Sequence, residues 1–283
     1  MNLPTLFVIL APFSIIGSIV VIVWVGLLRK RSLQGFLSFV IAQAVCDLIF
    51  ALKFFLNGYY ADQGFFQNIN QDVRAPTSNP LCIVLGMMGQ FGGQGSVGFN
   101  AMISIRAFLI FWRPDKYANI DSFWFHLYVW TWSTATTGYI ALFHEIGPTV
   151  DGCWITGADN QFRFWFFDLT TSIYFFGSIF IILYIFKRLR ALSHTITGST
   201  MRRNRIEFQR QMILYVASLI VFWSVPATMR LIELFTDRLK GMTIVYVDGI
   251  LLSTQGAANA LIWILTTSKC TCCQRQRDDY VSF

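Results

Sequence analysis

Seven apolar stretches, each long enough to cross a bilayer as a helix, fill the 283-residue chain almost end to end, and basic residues gather on alternate connections between them. Crossing about 30 Å of hydrocarbon takes about 20 helical residues. The stretches fall near 6–28, 36–57, 82–112, 123–146, 164–187, 209–236 and 243–266. They are continuous runs, not ten-residue alternations, so the spanning element is a helix, whose amides find partners within their own segment. Composition agrees: 55% of residues are hydrophobic and only 13% charged, which puts more apolar surface on the chain than a globule of this size can hide. The expectation is one all-α domain, an integral membrane seven-transmembrane helix bundle over 1–266, with a short cytosolic tail over 267–283.

Orientation follows from Lys and Arg on the short loops. One set carries Arg29, Lys30, Arg31, Arg113, Lys116, Lys187, Arg188, Arg190, Arg202, Arg203, Arg205 and Arg210, and the tail adds Lys269, Arg275 and Arg277. The opposite set has Arg74, Arg163, Arg238 and Lys240. This predicts an N-terminus outside and a C-terminus in the cytosol, at the plasma membrane. The net charge of +7 is then mostly a topology signal that suits anionic membrane lipids or an acidic cytosolic partner; nothing in it asks for nucleic acid. The stretch from Leu6 lacks a basic leader and reaches spanning length before Arg29, so it reads as a signal anchor, not a cleaved peptide.

The topology sorts the cysteines. Cys82, at the outer start of span three, and Cys153, in outer loop 4–5, both face an oxidising side and are predicted to pair; the alternative is two free thiols too far apart to bridge. Cys270, Cys272 and Cys273 follow the last span directly and are candidates for S-palmitoylation. Three cysteines without histidine do not make a zinc site, and no metal or cofactor is expected. Cys46 reads as a buried apolar-like residue.

Several stretches, in order and spacing, carry a resemblance. Cys153-Trp154-Ile155 followed by Phe162-Arg163-Phe164, then Ile103-Ser104-Ile105 in span three, and Gln209 through Arg230 with Phe222-Trp223 in span six, together resemble the slime-mould cyclic AMP receptor-like class of G-protein-coupled receptors. The resemblance implies a cell-surface receptor that passes binding of an extracellular small-molecule ligand to a heterotrimeric G protein. Two departures stand out: Arg106 has no acidic residue before it, and Asn259 is not followed by proline.

Residue chemistry points the same way. Arg106 lies 24 residues after Cys82, about 36 Å of helix, which carries it across to the cytosolic rim. There it is either a switch or a side chain snorkelling to headgroups; the resemblance implies the arginine that contacts the G protein or locks the resting state. Pro226, beside Trp223, is a hinge or a static bend, and Arg202, Arg203 and Arg205 would line the cytosolic face, with Asn259 on span seven completing the coupling set. Toward the outer side, Lys53, Asp168, Arg230, Glu233 and Asp248 are costly charges at depth, and Arg163 and Trp154 add a cation and a stacking face. They are the candidate ligand-binding residues, Lys53 and Arg230 for an anionic ligand, although Arg230 and Glu233 three apart can simply neutralise each other. Asp47, with Asn100 on span three and Ser253 and Asn259 on span seven, is the candidate core polar network, and the dense glycines from Gly86 to Gly98 predict close helix approach.

Rival classes fare less well. Span seven has no lysine for a retinal Schiff base, and His126, His144 and His194 are scattered, so no catalytic set emerges and no enzyme is expected. A transporter or channel for a small charged solute is the alternative, with Lys53, Asp47 and Arg230 lining its path.

Overall fold

A computed structural model of the protein describes residues 2–27, 34–62, 79–112, 121–143, 145–149, 152–155, 161–193, 213–228 and 242–281. Within these residues lie seven long helices: α1 (Leu3–Leu27), α2 (Gln34–Asp62), α3 (Pro80–Trp112), α4 (Phe123–Leu142), α5, α6 (Ile213–Thr228) and α7 (Met242–Val281). Helix α5 runs through Gln161–Arg163, the π-helical turn Phe164–Asp168 and Leu169–Ser193. Three windows, Leu3–Leu27, Leu37–Ala61 and Phe164–Lys187, are apolar enough to cross a membrane by composition alone. Helices α3 and α7 are diluted by the Gln, Ser, Asn and Gly that build the interior, so their spanning role rests on position in the bundle.

Helix α3 is the central post. It packs against α2, α4 and α5, while α1 packs against α2 and α7. Glycines make the α2–α3 approach possible: a Cβ on Gly92 would sit 2.8 Å from Phe50 N and 3.0 Å from Cys46 O, both backbone atoms, and one on Gly98 would sit 2.9 Å from Val129 of α4. The bundle combines an apolar interior, with Phe39, Phe99 and Trp223 buried in it, with buried polar residues and an exposed apolar surface. Phe13, Ile16, Trp124, Phe180 and Leu183 are exposed, the apolar belt that a bilayer covers, whereas Gln43, Asp47, Gln90, Gln94, Ser96 and Asn100 are buried.

One boundary differs from that read in the sequence. The expected span over 123–146 ends at Leu142, where Phe143 N–H and Glu145 N–H turn back to the carbonyls of Tyr139 and Ile140. Ile146 instead opens β1 (Ile146–Thr149), which pairs antiparallel with β2 (Gly152–Ile155), placing Pro148 opposite Cys153. At the other end, α7 runs past the apolar stretch as one continuous helix to Val281, with no Gly or Pro in 267–281 to interrupt it.

Candidate functional site beneath the hairpin

The β1–β2 hairpin caps one end of the bundle. Cys82 at the start of α3 and Cys153 in β2 form a disulfide with Cα atoms 5.2 Å apart, and Ile146 packs onto Gly86 of the same helix. Gly152, at φ +117°, turns the chain where a side chain would be strained. The hairpin is thereby fixed over α3 by a disulfide and by packing.

Beneath it, four of the expected ligand residues come together. A Cβ on Gly89 would lie 3.4 Å from Lys53 Cε and 3.7 Å from Trp154 Cδ1, so α2 and the hairpin meet over α3 at this glycine. Lys53 is 2% exposed, with Nζ 4.4 Å from the Phe54 ring centre. Arg163 stacks over Trp154 at 5.6 Å and pairs with Asp168 at 3.4 Å. Asp248 lies half-buried on α7, while Arg230 and Glu233 lie outside the described residues.

Two glutamines that the sequence reading passed over support the site from below. Gln90 Nε2 donates to Phe166 O and Thr136 Oγ1, both at 3.3 Å, and Gln94 Nε2 donates to Phe167 O at 3.4 Å. Phe166 and Phe167 lie in the π-turn of α5, a register shift that leaves carbonyls outside the usual ladder, and Thr136 lies on α4. Spaced by one helical turn on α3, the pair ties α5 to the central post.

From this cluster a continuous set of contacts runs into the core. Trp154 meets Phe167 edge-on at 4.7 Å, and Phe167 faces Trp223 of α6 at 6.0 Å. Trp223 Nε1 donates to Gln255 Oε1 at 2.9 Å, and Gln255 Nε2 donates to Ser96 Oγ at 2.9 Å. Ser96 Oγ donates to Asp47 Oδ1, and Asn259 Nδ2 donates to Asp47 Oδ2 at 2.8 Å, with Ser218 Oγ donating to Asn259 Oδ1 at 2.9 Å. Every donor in this chain points toward the carboxylate, so its polarity is fixed by chemistry: both amides are used at both ends, and both oxygens of Asp47 accept.

Of the residues expected around Asp47, Asn259 bonds it directly and the other two do not. Asn100 does not reach it; its backbone carbonyl accepts from Ser104 Oγ at 2.9 Å and its side-chain amide has no hydrogen-bond partner among the described residues. Ser253 bonds within α7, to Ile250 O at 3.1 Å, and its own carbonyl accepts from Ser14 Oγ at 2.7 Å. Ser96 and Gln255 take the two places. Each stands four residues before a residue singled out in the sequence, Asn100 and Asn259, and so shares its helix face.

At the far end, Arg106 is 9% exposed and its guanidinium stands 5.6 Å over the ring of Phe39. Trp223 is fully buried, with Pro226 three residues on in α6. Arg202, Arg203 and Arg205 lie outside the described residues, as do the side chains of Cys270, Cys272 and Cys273. Among the described residues no group of His, Cys, Asp or Glu could hold a metal ion.

No family model matches the sequence. The chain is 27% identical to cyclic AMP receptor-like protein F of Dictyostelium discoideum over 293 aligned positions, covering 91% of this chain and 89% of that protein. Its fold is similar to squid rhodopsin, with a TM-score of 0.66, 19% identity, and coverage of 99% of this chain and 85% of that one. The resemblance first visible at Cys153-Trp154-Ile155 and along span six thus extends over nine-tenths of the chain, which is similar in sequence to a cyclic AMP receptor-like protein and similar in fold to squid rhodopsin.

Proposed function

We propose that the hairpin end faces the outside of the plasma membrane, that a small extracellular ligand binds beneath the hairpin, and that the bundle passes this event to a heterotrimeric G protein at the far end. The observation that carries the reading is the unbroken run of contacts from Trp154 through Phe167 and Trp223 to Gln255, Ser96 and Asp47. It joins the cap to α5, α6, α7, α3 and α2. A ligand that moves Trp154 changes the surroundings of Trp223 beside Pro226, and a bundle with two arrangements needs only different ligand affinity in each. The loop charges support the orientation, and a disulfide on the hairpin fits an oxidising side.

An anionic group on the ligand suits Lys53, brought to Trp154 at Gly89. Arg163 contributes less positive charge because Asp168 pairs with it; Asp248, Arg230 and Glu233 complete the proposed set from α7 and span six. The relative in Dictyostelium makes cyclic AMP the first compound to try. On the cytosolic side, Arg106 with Arg202, Arg203 and Arg205 would meet the G protein, and lipid on Cys270, Cys272 or Cys273 would hold the end of α7 to the membrane.

The test is direct binding. Purified protein is assayed with labelled cyclic AMP and a panel of small anions, comparing wild type with Trp154→Leu and Lys53→Met. Saturable binding weakened at least about ten-fold by each substitution, the size of one buried charge-assisted contact, supports the site. Binding untouched by both would place the ligand elsewhere.

A further inference from the structure

Arg106 is anchored by an aromatic ring where a carboxylate would be the obvious partner. The residue before it is Ile105, and its Nε and Nη1 have no hydrogen-bond partner among the described residues. What it does have is Phe39 of α2, whose ring centre lies 5.6 Å from the guanidinium carbon. That ring is fully buried and firmly held: His126 of α4 stacks on it nearly parallel, at 4.8 Å and 4°, and Phe125 meets it edge-on at 5.9 Å. His126 in turn is placed by a 2.9 Å contact between its Nε2 and Ser38 Oγ.

We infer that Phe39 is the positioning residue for Arg106, a cation–π latch that keeps the guanidinium against α2 in the resting bundle, with His126 fixing the ring. The chemistry favours it. A guanidinium is weakly hydrated and stacks on aromatic faces, and its attraction to a ring quadrupole strengthens when water is excluded. A ring also exerts a weaker hold than a buried carboxylate, so a partner's acidic or carbonyl groups can take the arginine over. Three helices, α2, α3 and α4, thus meet in one stack whose release frees the cation. The inference rests on the proposed role of Arg106 as the coupling switch.

The experiment changes the quadrupole without changing shape. In the full-length protein, 3,4,5-trifluorophenylalanine is placed at position 39, with Phe39→Leu and Phe39→Trp beside it, and variants are compared only where thermal unfolding matches wild type. The first readout is the rate at which an arginine-directed dicarbonyl, 4-hydroxyphenylglyoxal, modifies Arg106, followed by peptide mass spectrometry. The latch predicts roughly five-fold faster modification with the fluorinated ring and no acceleration with Trp. A rate unchanged by fluorination overturns it, since a purely space-filling ring would not respond to its own electron distribution. The second readout is basal G-protein dissociation in cells. A rise that parallels Arg106 reactivity supports latch and switch together; faster modification with flat dissociation keeps the latch and removes the switch.

Discussion

A single carboxylate organises the middle of this molecule. Asp47 receives Ser96 and Asn259 at its two oxygens, and both donors are themselves committed through Gln255, Trp223 and Ser218. Replacing it by an isosteric apolar residue leaves two buried donors unpaired, each costing about 1–3 kcal/mol. Asp47→Leu is therefore expected to lose about 2–6 kcal/mol of stability, read as a clear drop in melting temperature of the purified protein; an unchanged melt would mean that the two donors find other acceptors. At this scale the sequence was only half legible. An aspartate in the middle of an apolar run announces itself, but which polar neighbours reach it depends on helix rotation. Four residues, little more than one turn, separate Ser96 from Asn100, and the sequence does not say which of the two faces α2.

The elements are set by two different constraints. Hydrocarbon thickness sets the least length of a spanning helix, which is why the starts of α1 to α5 and of α7 lie close to those read from apolar runs, although α7 runs on past its apolar stretch. The hairpin was missed because the fourth stretch was bounded at Ile146 and the residues after it read as loop 4–5, although Asp151-Gly152 is a turn dipeptide that favours hairpins. Cys82–Cys153, a bond spanning 71 residues of sequence, ties the hairpin to the start of α3. Cys82→Ser with Cys153→Ser is expected to cost about 2–5 kcal/mol and to abolish ligand response before it abolishes membrane insertion, measured by surface labelling alongside binding; retained binding in the double variant would show that the hairpin needs no covalent anchor. A second element-level prediction concerns the α2–α3 seam. Because the atoms facing Gly92 are backbone, Gly92→Ala must move one helix, at about 1–3 kcal/mol, while Gly138→Ala on α4, with nothing within 4 Å of its Cβ position, is expected to leave the melt unchanged. Equal melts for the two variants would contradict the close approach.

For the whole molecule, the bundle has a capped end, a polar core and an arginine buried at the opposite rim, arranged along one post, α3. Cys82, Gly89, Gln90, Gln94, Ser96 and Arg106 follow one another down that helix, so hairpin, support, network and latch share a rigid axis. The most direct measurement of the central claim is heterotrimer dissociation in cells expressing this chain, wild type against Arg106→Ala at matched surface expression, with and without cyclic AMP and a panel of small anions. Ligand-dependent dissociation in wild type that Arg106→Ala abolishes is the predicted result. Ligand bound at the surface with no dissociation across several G proteins would contradict it and favour a path for a charged solute through the same interior.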